Sequence, residues 1–357
     1  MKINHADVRQ NGVIAMNVKL VTIGMCAAIA VSAIPSQAYA KTRLTVNCFW
    51  PSKHFMCTSL LPTWLSEVEK VTEGRVVGNI PPKSVAPPPA QLASVEKRVV
   101  DAAIQFSGLI GNRVKGPLVA MQPFIGNDNT AAMSQALWET NRKYFPDEFE
   151  TVQLLSQWTI TPGQLFSSTD KPINSVEELA SRKIWALPGP LAAMSKKLGA
   201  GVVSGPAVKS NEIISRGVVD GHIGLSGDGL KAFQLLPYTK SMTKFSKSLY
   251  NTSFNFVINK DTWAEISPAD QAAIMEVSGV KFGVNAAKKW QSVNDSVFET
   301  FPSKGIQIVD ADPAFEQALV DTAKPMTAAW VKAATESGID AEAAMAFFKQ
   351  RIAELSK

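Results

Sequence analysis

Two rhythms of apolar residues alternate along this chain. Leu44-Thr45-Val46-Asn47-Cys48-Phe49-Trp50 is dense in branched and aromatic side chains and predicts a strand, whereas the run from Leu60 to Val71 places Leu60, Leu61, Trp64, Leu65 and Val68 at helical spacing. Val76 to Ile80 predicts a second short strand. Pro81-Pro82 and Pro87-Pro88-Pro89 then exclude regular structure and predict a rigid loop. A helix over Ala90 to Arg98 and a strand over Ala102 to Phe106 follow. Strands alternating with helices at this spacing argue for parallel β-α-β units.

The order repeats further on. Leu165 to Ser168 is extended, and Ser175-Val176-Glu177-Glu178 has the spacing of a capping box with an acidic first turn. Strands are expected at Lys183 to Leu187, Gly201 to Ser204 and His222 to Leu225. The helices between them are expected at Pro190 to Leu198 and Asn211 to Arg216, the second ending at Gly217. Tyr250 to Ile258, with Phe254, Phe256 and Ile258 alternating, reads as a strand crossing back to the first half. From Pro268 onward the pattern is helical apart from a short strand at Ile306 to Val309.

The beginning of the chain carries a different signal. Residues 16–40 have a short basic segment ending at Lys19, an apolar stretch from Leu20 to Ile34, and Ala38-Tyr39-Ala40 as a cleavage signal, the form of an export peptide. Met16 then serves as initiator. The apolar stretch is shorter than the ~20 residues of a spanning helix. Lipid attachment at Cys26 is disfavoured because Met25 precedes it where a small residue is wanted. The mature chain is thus expected to be soluble and exported, starting near Lys41.

Removing residues 1–40 from the 357 leaves 317, enough for two lobes. It also removes Lys2, Arg9 and Lys19 against Asp7, taking the formal charge from +5 to +3. No basic block appears, so no nucleic-acid partner is expected. Two cysteines stay, Cys48 and Cys57, in a compartment that permits disulfides. The spacing leaves open whether they are bridged or are two small buried thiols.

A series of motifs adds a family resemblance. Thr72-Glu73-Gly74-Arg75-Val76, Arg98-Val99-Val100-Asp101, the run Lys171-Pro172-Ile173 to Lys183-Ile184-Trp185, Leu198-Gly199-Ala200, Arg216-Gly217-Val218-Val219-Asp220-Gly221 and Asn259-Lys260-Asp261-Thr262-Trp263 occur in order. Together they resemble the periplasmic solute-binding proteins of TRAP transporters, the DctP family. That resemblance implies an α/β, two-lobed periplasmic-binding-protein-like fold, with mixed sheets flanked by helices and a ligand cleft between the lobes. It also implies a long helix leaning across both lobes and handover of solute to membrane permease subunits. Residues 41–163 plus 251–290 are expected to form the first domain, and 164–250 plus 291–357 the second. Hinges are expected near Gln164, Asn251 and the helix around Trp290.

One departure bears on the ligand. Where the resemblance implies an arginine that clamps a substrate carboxylate, this chain has Trp185. A subset of the family has another arginine about one strand earlier, and Thr161 to Gln164 offers none. Tryptophan supplies a single neutral donor, but its face attracts ammonium by about 0.5–2 kcal/mol. Trp50 and Trp158 are expected at strand ends facing the cleft, with Phe106, Gln164 and Phe254 nearby. Asp228, in Ser226-Gly227-Asp228-Gly229, is expected in a flexible loop after the second-lobe strand. An acid among aromatics favours an amine-bearing or neutral solute. The other reading makes the tryptophans core packing and Asp228 a turn cap. For Trp185 the resemblance, by fixing its position, favours the pocket.

Other chemistry is thin. His54 and His222 are too few and too isolated for a metal site, and no nucleophile elbow, zinc-protease or phosphate-loop motif is present. Neither a cofactor nor catalysis is expected, and a monomer is. A small organic acid held by a non-standard clamp, an enzyme using the same cleft, and a sensory module docking to a receptor are the alternatives.

Overall fold

In the computed structural model, which describes residues 41–357, the apolar rhythms form two separate sheets. The expected export peptide and Cys26 lie outside the described residues. In chain order the strands are β1 (Thr42–Asn47), β2 (Val76–Asn79), β3 (Ala102–Phe106), β4 (Val152–Thr159), β5 (Gln164–Ser167), β6 (Lys183–Ala186), β7 (Gly201–Ser204), β8 (Gly221–Leu225), β9 (Ser241–Lys244), β10 (Ser253–Asn259) and β11 (Gln307–Asp310). The first sheet runs β2-β1-β3-β10-β4 and the second β11-β9-β5-β8-β6-β7.

The β-α-β units are parallel as expected, but the sheets as wholes are mixed. β10 is antiparallel to β3 and β4, and β5 is antiparallel to β8 and β9. Both strands follow a direct crossing between the sheets. A chain that arrives this way is free of the parallel direction that a helical crossover imposes. The two crossing segments are bonded to each other, Ile160 N–H donating to Thr252 O at 3.0 Å and Gly163 N–H to Tyr250 O at 2.8 Å. Gly163 is required here. A Cβ on it would stand 2.4 Å from the carbonyl oxygen of Gly224.

A third crossing is the helix Gly279–Phe298. It lies flush on β4, where a Cβ on Gly283 would meet Gln157 O at 2.5 Å. The C-terminal helix Ala341–Leu355 corrects the expected boundary. Phe348 and Ile352 pack with Leu137 and Met133 of the helix Thr130–Tyr144, and Arg351 bonds Glu139, so this helix sits beside the first sheet instead of joining the second domain as 291–357 was expected to do. β4, β9 and the helix Thr130–Tyr144 are elements that the apolar pattern does not reveal. Polar residues interrupt two of them: buried Ser134, Thr140 and Asn141 bond carbonyls one turn back, and Ser156 of β4 bonds Gly279 O.

The motifs that carry the family resemblance prove to be framework. Arg75 makes a bidentate pair with Asp270, fixing the start of β2 to the helix Pro268–Val277. Asp101 accepts from Thr45 N–H at 2.8 Å and from Thr262 Oγ at 2.9 Å. Asn259 caps the helix Lys260–Ala264 and donates to Val95 O. Ser175 caps Val176–Ala180 while Glu178 reaches back to Asn174 N–H, and Gly217 takes the left-handed conformation after its helix at φ 65°. These residues position the site without touching it.

Candidate functional site

The carboxyl ends of β1, β3, β6 and β8 meet the amino end of antiparallel β10, and the cavity between the sheets opens there, where α/β sheets place ligands. From the first sheet come Phe49, Trp50, Phe106, Ile160, Thr252 and Phe254. From the second come Leu187, Pro206, Leu225, Ser226, Asp228 and Phe233, and the crossing helix adds Trp290. Its interior leaves about 60 Å³ to the centres of water-sized spheres, at ~10–15 Å³ per water the space of a few waters.

Aromatic rings make most of the wall. Phe49 stacks on Trp50 at 3.9 Å, Trp50 lies 5.2 Å from Phe254 and 5.8 Å from Trp290, and Phe106 lies 5.7 Å from Phe254. A disulfide between Cys48 and Cys57, with Cα atoms 5.7 Å apart, closes the segment that carries Phe49, Trp50, His54 and Phe55. Of the two readings that the spacing left open, this geometry corresponds to the bridge. His54 stacks on Trp50 at 5.4 Å, and its Nδ1 accepts from Met56 N–H at 3.1 Å.

Asp228 is not in a flexible loop. The Ser226-Gly227-Asp228-Gly229 segment begins the short helix Gly227–Ala232, because Ser226 is extended and the following residues turn at once. The carboxylate is buried and doubly held: Ser226 Oγ donates to Oδ1, and Trp290 Nε1–H donates to Oδ2 at 2.8 Å. Gly227 N–H donates to Asn294 Oδ1 at 2.7 Å, a second tie between this helix and the crossing helix. The acid therefore pins the Trp290 indole, and two of its roughly four lone-pair sites stay open.

Of the residues expected at the site, Trp50, Phe106, Asp228 and Phe254 are brought together on the wall. Trp158 stands behind it, stacked on Phe254 at 5.7 Å and fully buried. Gln164 is half-buried at the start of β5, where its amide donates to Pro162 O. Trp185 is fully buried in β6, beside His222 of β8, and does not reach the cavity. The reason is depth. Two residues on, Leu187 has left the strand and forms the wall, and at about 3.3 Å per residue Trp185 falls short by roughly 7 Å.

His222 sits below the cavity, stacked on Phe166 at 4.8 Å, with neither ring nitrogen hydrogen-bonded. Burial lowers its pKa to about 3. No lysine or arginine lines the chamber, and among the described residues no group of metal-ligating side chains forms. The sequence reading missed Phe49 and Trp290. Phe49 was within reach as the neighbour of Trp50, whereas Trp290 follows Phe282 and Ala286 at helical spacing and so reads as core.

The profile of DctP, bacterial extracellular solute-binding protein family 7, matches residues 46–333. The chain is 34% identical over 333 residues to the outer membrane transporter protein TsaT of Comamonas testosteroni, covering 92% of this chain and 97% of that one. Its fold matches a TRAP periplasmic solute-binding protein of Bordetella bronchiseptica, solved with bound (R)-mandelate and (S)-mandelate, at TM-score 0.83 and 30% identity, over 88% of this chain and 99% of that chain. A TRAP solute-binding protein of Rhodoferax ferrireducens T118, in complex with copurified benzoate, shares the fold at TM-score 0.80 and 22% identity, over 88% and 98% of the two chains.

Proposed function

This chain belongs to the bacterial extracellular solute-binding proteins of family 7, the DctP family, and on that premise we propose that it captures a small solute with an aromatic body by closing its two lobes. TRAP solute-binding proteins deliver solute to membrane permease components, and no helix among the described residues is long and apolar enough to cross a membrane. In our reading the protein is an exported monomer that binds and releases without catalysis.

The observation that carries this reading is the aromatic chamber between the sheets. A flat ring that buries about 100–150 Å² there gains roughly 2.5–4 kcal/mol from area alone, and offset stacking adds about 0.5–1.5 kcal/mol. An aliphatic dicarboxylate gains neither, and burying its charge without a cation costs several kcal/mol.

The polar end of the solute has two readings. Asp228, the acid on the wall, supports an amine-bearing or neutral group, which its open lone pairs would accept. Mandelate in the Bordetella relative supports an aromatic acid, held by neutral donors such as the Thr252 hydroxyl on the wall. A thermal-shift series of mandelate, benzoate, benzylamine, benzyl alcohol and succinate separates them. A ligand at 100 times its Kd stabilises the folded state by about 2.7 kcal/mol. Aromatic compounds should shift the midpoint and succinate should not; a shift by succinate alone would overturn the proposal.

A further inference from the structure

A second cleft shares Asp228 with the aromatic chamber and carries the lysines that the chamber lacks. It offers about 620 Å³ and is lined by Lys53, His54, Lys231, Gln234 and Lys289 together with Asp228. The three lysines are exposed and come from three different pieces: the disulfide-closed segment after β1, the helix Gly227–Ala232 and the crossing helix. The lysine ion pairs of the described residues involve Lys281, Lys324 and Lys332 instead.

A buried donor adds an independent pointer. His54 is 6% exposed, and because its Nδ1 accepts from Met56 N–H the neutral ring carries its proton on Nε2. That Nε2 is buried without a hydrogen-bond partner; Asp228 Oδ2 stands 3.9 Å away, too far to accept well. An unpartnered buried donor is costly, and the residue that carries it lines this cleft.

We propose that this cleft binds a small oxyanion of the phosphate or sulfate kind. Three lysines against one carboxylate leave it electropositive. Flexible ammonium groups suit a compact multiply charged anion better than the planar fork of arginine suits it. Because the lysines ride on both sides of the lobe junction, a bound anion ties together the elements that close over the chamber. The site is independent of which solute the chamber takes.

Isothermal titration of phosphate and of sulfate into the ligand-free protein, at ionic strength held constant with NaCl, tests this directly. We expect one saturable site per chain, weakened by added NaCl. The double variant Lys231→Gln and Lys289→Gln should lose at least tenfold in affinity, and Lys196→Gln with Lys197→Gln, on an unrelated surface, should lose nothing. Far-UV circular dichroism confirms folding, and if the double variant fails to fold, each single variant should lose about threefold. Absence of saturable binding to the wild-type protein, or equal binding by the cleft and control variants, would overturn the site.

Discussion

Replacing Trp290 by phenylalanine removes one donor from Asp228 while leaving the charge of the site unchanged. Asp228 is 5% exposed, and each of its oxygens accepts one side-chain bond, from Ser226 Oγ and from Trp290 Nε1. A hydrogen bond to a charged group contributes about 1.5–3 kcal/mol and a neutral one about 0.5–1.5 kcal/mol. Trp290→Phe should therefore cost about 1.5–3 kcal/mol for the bond, besides whatever the smaller ring loses in packing. With Asp228→Asn already in place, the same change removes only a neutral bond, and the packing loss is the same. The double-mutant cycle cancels the packing and isolates a coupling of about 1 kcal/mol or more. Independent sites add to within about 0.3–0.5 kcal/mol, so the coupling stands clear of that scatter. Urea unfolding of the four proteins by far-UV circular dichroism, compared at constant slope, measures it. Additive costs would refute the claim that the carboxylate holds the indole.

Three further outcomes follow from the same geometry. Cys48→Ser with Cys57→Ser opens the segment that bears Phe49 and Trp50 and should cost about 2–3 kcal/mol, with weaker solute binding; unchanged binding by titration calorimetry would show that the bridge does not hold the wall. His222 has a folded pKa of about 3, below its unfolded value of about 6.5, so the unfolded chain binds the extra proton and stability is lost as pH falls through that window, at up to about 1.4 kcal/mol per pH unit. His222→Leu should flatten the slope of unfolding free energy between about pH 6 and pH 4, and parallel slopes for the two proteins would contradict it. Gly163→Ala forces a Cβ against the carbonyl oxygen of Gly224 and should lower the melting midpoint by an equivalent of about 1–3 kcal/mol; an unchanged midpoint in calorimetry would mean that the crossing segments yield freely.

Much of the framework is legible in the residues because it rests on local rules. Ser175 with Glu178, Gly217 and the helical spacing of Leu61, Trp64, Leu65 and Val68 all lie where the capping and periodicity arguments put them. β4 escapes because its buried polar residues are satisfied by partners far along the chain, such as Gln157 with Asn255. The helix Thr130–Tyr144 escapes because Ser134, Thr140 and Asn141, bonded one turn back, break its apolar stripe. The site divides in the same way. Trp50, Phe106, Asp228 and Phe254 end up on one cavity, but periodicity gives no depth along a strand, and depth is what separates Trp185 from Leu187. Likewise the Asp228–Trp290 bond joins residues 62 apart, and each alone reads as a cap or as core.

A crystal structure of the protein with the aromatic compound that raises its melting midpoint most is the most direct test of solute capture between the lobes. The ring should lie against Trp50, Phe106 and Phe254, with the Trp290 indole still bonded to Asp228. A ring bound elsewhere on the surface, with the chamber between the sheets left unfilled, would contradict it.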